Sequence, residues 1–136
     1  MEGDINRFFK SDKFGEYVGI ELLEVSAGSA KVKLELKDQH LNALKTAHGG
    51  AIFTLADLAF ALASNSHGTI ATAINASISY TKAATAGTTL IAEAKEVAIN
   101  PKLGNYTIHV TNEQGDIIAI FQGLAYRKKQ KLSTVM

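Results

Sequence analysis

The sequence predicts an α+β fold in which an antiparallel sheet of about six strands wraps one long central helix. Three observations carry this expectation. One segment, from about His48 to Asn65, is too long for a typical strand and rich in Ala and Leu. The runs on either side of it alternate apolar with polar residues, the period of half-buried strands. Short turns separate the later runs. Connections of that length join antiparallel neighbours, because parallel strands need a crossover of roughly a dozen residues or more.

In chain order, the first twenty residues mix Phe8, Phe9, Phe14, Tyr17 and Val18 with charges, which suits a short amphipathic helix or turn packed on the main body. Gly19 to Val25 and Ala30 to Lys37 read as paired strands across a Ser-Ala-Gly-Ser turn. In the second of them Val32, Leu34 and Leu36 alternate with Lys31, Lys33, Glu35 and Lys37, giving one dry face and one wet face.

A loop from Asp38 to Ala47 leads into the long helix, which is apolar nearly all round and should therefore be enclosed. Four strands follow, Ala71 to Thr81, Thr88 to Val97, Gly104 to Asn112 and Ile117 to Lys128. They are punctuated at Ala86-Gly87, Asn100-Pro101 and Asn112 to Asp116. The 136 residues suit a single domain over 1–136, and no repeat or linker interrupts them.

Composition removes several classes of function. A net charge of +1 offers no broad field for nucleic acid. The absence of cysteine removes disulfides, thiolate metal sites and a thiol nucleophile together. His40, His48, His67 and His109 lack metal-ligand spacing, so no metal and no cofactor is expected. Gly-x-Ser-x-Gly, phosphate-loop and dinucleotide motifs are also missing. The most apolar run is shorter than the roughly 20 residues a membrane span takes. The amino terminus carries acidic residues where a signal peptide would be basic. The expectation is a cytoplasmic protein.

The chemistry concentrates around the helix. Between Ala51 and Ala63 every residue except Thr54 and Asp57 is hydrophobic, so Asp57 lies in a segment expected to be buried, where a lone ionised group is costly. A structural carboxylate satisfied by a neighbouring donor is the plain alternative to catalysis. Gly49 and Gly50 open the helix, where the first backbone amides carry the positive end of its dipole. The Gly49 amide is thus a candidate donor to a carbonyl oxygen gaining charge, and Asp57 a candidate base or nucleophile for acyl transfer. Thr54, Asp57 and Ser64 fall in a narrow arc at 100° per residue, a polar stripe where substrate would touch the helix.

Eight residues at about 1.5 Å each put Gly49 and Asp57 roughly 12 Å apart along one helix, too far to serve one carbonyl. Two antiparallel helices about a two-fold axis would bring Gly49 of one chain to Asp57 of the other. Catalysis through these groups therefore implies a homodimer.

Asn42, His48-Gly49-Gly50 and Asp57, with strands on both sides in the expected order, resemble the hotdog-fold acyl-CoA thioesterases, specifically those similar to the phenylacetate-pathway thioesterase. The resemblance covers nearly the whole chain. It implies hydrolysis of an aryl- or medium-chain acyl-CoA to free acid and coenzyme A at a dimer interface, often within a dimer of dimers. By the same analogy Asn42 helps hold substrate or water and His48 braces the turn. Ala73 stands where some relatives have a water-positioning Ser or Thr. The implied coenzyme A site draws on Lys82, on the Lys102-Leu103-Gly104-Asn105 turn and on the basic run Arg127-Lys128-Lys129. A non-catalytic acyl-CoA or acyl-carrier binding module is the competing reading, and a hydratase on the same fold lacks its catalytic His.

Overall fold

The computed structural model describes residues 2–136. Two short helices, α1 (Glu2–Lys10) and α2 (Lys13–Val18), lead into strands β1 (Glu21–Ser26) and β2 (Ser29–Glu35). The long helix α3 (Gly49–Asn65) follows, then β3 (Thr69–Tyr80), β4 (Thr89–Ile99), β5 (Leu103–Thr111) and β6 (Ile117–Lys131). The six strands form one sheet in the order β1-β2-β4-β5-β6-β3, and every pair is antiparallel. The sheet curls around α3, as the alternation and the short turns predict.

Each strand presents one side to the helix. Val32, Leu34, Leu90, Ala92, Ala94, Ile108, Val110 and Phe121 are all buried there, against Leu55, Ala59, Phe60, Leu62 and Ala63 of α3. Burying one such Leu or Phe stabilises the fold by about 1.5–3 kcal/mol. Small residues set how closely the layers approach. At Gly123 of β6 a methyl group would stand 2.7 Å from the Phe60 ring, so only glycine fits. Phe60 then packs on Tyr106 and Phe121, with ring centroids 5.7 Å away in each case.

The amino-terminal region is two helices, not one. Asp12 breaks them apart, its carboxylate accepting from the Gly15 amide as the N-cap of α2, and Gly19 closes α2 in the left-handed conformation at φ 98°. α2 lies directly on α3, since a methyl group at Gly15 would come within 2.9 Å of Leu58.

The opposite flank of the sheet is open. β3 is an edge strand, twelve residues long, hydrogen-bonded only to β6. Ala73, Ala76 and Tyr80 pair with residues on the helix side of β6 yet remain exposed, and Ile74 at a bulge is 56% exposed. Among the described residues no helix is long and apolar enough to cross a membrane.

Candidate active site

The site begins where α3 begins. His48 takes extended backbone angles and its Nδ1 accepts from the Gly50 amide at 2.8 Å, capping the helix. His48 thus spends this nitrogen on the helix cap. The Ala51 and Ile52 amides return to the His48 carbonyl. Between these the Gly49 amide meets no acceptor among the described residues, which leaves a donor at the positive end of the helix dipole. Tyr80 closes over the same turn, its hydroxyl donating to the Gly49 carbonyl at 3.0 Å.

Beyond the first turn of α3, where Gly49, Gly50 and Ala51 are all accessible, the residues not fully buried trace one outward stripe, Thr54, Asp57 and Ala61, with Phe53 beside it. This corrects two expectations. Asp57 is half-buried, not enclosed, because the sheet covers only the other faces of the helix. Ser64 is buried and donates to the Ala61 carbonyl, so the polar stripe ends at Asp57. Thr54 stays on the stripe, with its hydroxyl on the Gly50 carbonyl at 2.7 Å.

No cation or hydrogen-bond donor contacts the Asp57 carboxylate among the described residues. Burial raises its pKa above the usual carboxylate value, and the negative charge of Asp12 at the head of α2 raises it further. A carboxyl so placed holds its proton more tightly than a solvated one and is a stronger base once ionised.

Two clefts flank the first turn of α3. One, of about 410 Å³, is lined by Asn42, Thr46, Gly49, Tyr80 and Lys82. The other, of about 350 Å³, lies between α2 and α3 and includes His48, Gly50 and Thr54. Asn42 is thus brought to Gly49, but its carbonyl accepts from the Leu44 and Thr46 amides, and its amide donates to the Thr46 hydroxyl. Its first role is to fold the loop before the helix.

The expected cluster of cations does not assemble within one chain. Lys82 reaches the Asn42 cleft, with its ammonium on Asp116 at 2.7 Å. That pair, helped by Asn112, draws the Asp116 pKa down. Lys102 lies at the other end of the sheet. Tyr80, two residues before Lys82, pairs with Ala119, whereas Leu103 pairs with Tyr126, seven residues further along β6, or roughly 23 Å. Gly104 and Asn105 belong to strand β5, not to a turn, and Gly104 is buried under the Tyr106 ring. Arg127, at that same far end, donates to the Asn100 carbonyl.

Ala73 shares the helix side of the sheet with its partner Ala125, while Thr72 pairs with exposed Tyr126 on the outer side. Thr72 therefore cannot stand in for the missing hydroxyl. Tyr80, Phe14 and Tyr17 belong to the site's walls without a local signal in the sequence that marks them. Among the described residues no three His, Asp or Glu side chains converge as a metal site requires.

A long helix wrapped by one curled antiparallel sheet is the hotdog fold. Residues 44–119 match the thioesterase superfamily model. A putative esterase of Archaeoglobus fulgidus is 50% identical over 88% of this chain and 77% of its own length. Acyl-coenzyme A thioesterase PaaI of Escherichia coli is 34% identical over 88% of this chain and 85% of its own. The solved structure of E. coli PaaI, from the phenylacetic acid degradation operon, matches with a TM-score of 0.92 and 32% identity over 95% of this chain and 94% of that one. A Streptococcus mutans protein solved with acetyl-CoA bound matches with a TM-score of 0.80 and 28% identity, over 83% of this chain and 91% of that one. The chain belongs to the thioesterase superfamily as a PaaI-like thioester hydrolase.

Proposed function

We propose that the protein is a homodimeric acyl-CoA thioesterase in which Asp57 of one protomer and the Gly49 amide of the partner subunit act on the same thioester. The single observation that carries this reading is the pair of unpartnered groups on one helix, a free amide at Gly49 and a half-buried carboxylate at Asp57, eight residues apart. Neither has a hydrogen-bond partner among the described residues. Similarity to PaaI and to the acetyl-CoA complex supports acyl-CoA as the substrate class.

The surfaces around them support association. The outward stripe of α3 lacks a cover, and the edge of β3 presents unpaired backbone groups beside exposed Ala73, Ala76 and Tyr80. A long bare edge is a template for strand addition. Two-fold pairing there would lay one α3 against its copy, antiparallel, with two equal sites. A further pairing of dimers rests on the family resemblance alone.

In the reaction, ionised Asp57 takes a proton from water as the water oxygen attacks the carbonyl carbon. The Gly49 amide of the partner subunit donates to the oxygen as it gains negative charge. Collapse breaks the carbon–sulfur bond, and the proton held by Asp57 passes to the departing sulfur, giving the free acid and the thiol and restoring the carboxylate. The raised pKa of Asp57 makes its ionised form a stronger base than a solvated carboxylate, which supports this role. Asn42 positions water or substrate beside the same turn, and Gly50 and Thr54 border the reacting centre.

Thiol release from acyl-CoA substrates tests the proposal. Asp57→Asn should keep the fold and lower kcat by about 10²–10⁴. A folded Asp57→Asn protein with an unchanged rate on the best substrate contradicts it.

A further inference from the structure

The peptide unit that joins Gly49 to Gly50 is held at both ends by side chains. The Tyr80 hydroxyl donates to its carbonyl, on Gly49, at 3.0 Å, and its N–H, on Gly50, donates to His48 Nδ1 at 2.8 Å. The two partners come from different parts of the fold. His48 is the helix cap itself, whereas Tyr80 stands 31 residues along the chain, at the end of β3.

Two consecutive glycines open α3, and glycine has the widest choice of backbone angles at the very turn where helices fray. A first turn built on Gly49 and Gly50 needs fixing from outside the helix. The same glycine admits the phenol, because a Cβ on residue 49 would stand 3.2 Å from Cζ and Oη of Tyr80, closer than ordinary contact.

Tyr80 has a firm base for this grip. In the next residue the Thr81 amide donates to the Ile118 carbonyl and the Thr81 hydroxyl to the Ile117 carbonyl, both at 2.8 Å. The loop before the helix is tied to the same region, with the Ala47 amide on the Ala84 carbonyl at 2.8 Å. The Tyr80 side chain itself is 51% exposed and stands outside the buried core.

We propose that Tyr80 is a positioning residue for thioester hydrolysis, holding the Gly49–Gly50 peptide so that the adjoining Gly49 N–H is aimed at the thioester oxygen. The peptide that carries this N–H shares the Gly49 α-carbon, and its His48 carbonyl is bonded to the Ala51 and Ile52 amides of the same turn. Tyr80 ties that turn to the sheet. An oxyanion donor works by being aligned before charge develops, and a small misplacement slows the reaction. The phenol moves no proton and acts through the amide. This inference rests on the thioesterase reading above and adds a residue to its machinery.

The test measures thiol release from acetyl-CoA, octanoyl-CoA and phenylacetyl-CoA by the wild type, Tyr80→Phe, Gly49→Pro and the double variant, each below its melting transition. Phenylalanine keeps the ring and removes only the hydroxyl, so the variant should fold, and thermal melting checks this. On the best of the three substrates Tyr80→Phe should lower kcat by about three- to tenfold, with KM changed less than about twofold. A side chain that only shaped the substrate cleft would raise KM instead. In the Gly49→Pro protein no amide hydrogen remains to aim, so adding Tyr80→Phe should lower the rate less than about twofold further. The infrared carbonyl stretch of the same substrate bound to Asp57→Asn protein needs no turnover. A hydrogen bond from Gly49 lowers its frequency, and Tyr80→Phe should raise it part of the way back.

An unchanged kcat and an unmoved carbonyl frequency in Tyr80→Phe, with wild-type hydrolysis intact, overturn the positioning role and leave the thioesterase reading standing. A loss confined to KM, or a further loss of the same size in the Gly49→Pro background, overturns it as well, since the phenol would then act by another route. Wild-type protein that hydrolyses none of the three substrates overturns both readings.

Discussion

The two ends of α3 are built in opposite ways. At its carboxyl end the polar side chains are consumed in holding the fold. Asn65, almost fully buried, donates to the Ala61 and Ala71 carbonyls and accepts from the Ala71 amide, stitching the helix to β3. Ser66 donates to the Ala63 carbonyl and accepts from the Gly28 amide in the β1–β2 turn. His67 reaches Glu96 at 2.8 Å, and the Tyr106 hydroxyl donates to the same carboxylate oxygen. Burial and that carboxylate push the Tyr106 pKa well up, so the hydroxyl stays protonated.

The amino half of α3 leaves two polar groups without partners. Among the described residues Gly49 keeps an amide with no acceptor and Asp57, midway along α3, a carboxylate with no donor, and both clefts open beside the first turn. Buried polar groups in a fold normally find partners, because an unsatisfied one costs about 1–3 kcal/mol. The contrast separates stability from chemistry along one helix: substitutions at the carboxyl end should lower stability, and those at the amino end should lower rate.

The largest effect expected at the amino end comes from Gly49→Pro. Proline is favoured at the first helical position, and His48 already holds the extended angles that a residue before proline prefers. A Cβ at this position stands 3.2 Å from the outer atoms of the Tyr80 ring, which must give by a few tenths of an ångström. The change removes the amide hydrogen and leaves the helix start in place. Steady-state kinetics should show kcat lower by about 10²–10³, the usual effect of losing one oxyanion donor, with little change in melting temperature. A large loss of stability instead would break the comparison.

Asn65→Ala should do the reverse. It strips the Ala71 amide and carbonyl of their partner, about 1–3 kcal/mol for each group left bare. Denaturant unfolding should read that loss while activity per folded molecule is retained. Rate loss without destabilisation would show that the carboxyl end also serves chemistry.

The smallest effect sharpens the picture of Asp57. Asp12→Asn keeps an oxygen to cap α2 but removes the negative charge that raises the Asp57 pKa. The active form is ionised, so activity is lost as pH falls through that pKa. Lowering the pKa must therefore move the acid limb of the kcat/KM profile to lower pH. A shift upward or none at all would remove Asp57 as the titrating group.

The helix and most of the sheet were legible in the sequence because periodicity reports burial directly. The long helix is expected from about His48 and begins at Gly49, with His48 as its cap. The alternation of Val32, Leu34 and Leu36 matches their burial. The break at Asp12 was not legible, since a six-residue helix holds fewer than two turns of pattern. Asp57 stood out by its isolation among apolar residues, but its half-exposure depends on which face the sheet leaves bare. Ser64 carries the same angular signal and is buried, because the sheet closes over that end of α3. The separation of Lys82 from Lys102 follows from strand order, which no local pattern encodes. Phe14, Tyr17 and Tyr80 join the site through contacts across the fold, and nothing near them in the chain marks them.

The central claim is that each site takes Asp57 from one protomer and Gly49 from its partner, and mixing two inactive variants tests it most directly. Asp57→Asn and Gly49→Pro chains, unfolded together and refolded, should form mixed dimers in which one of the two sites has both groups intact. With random pairing, about a quarter of wild-type activity should return, although neither variant alone has appreciable rate. If the mixture stays as inactive as its components while mixed dimers are present, the two groups do not share a site across the interface, and the account fails.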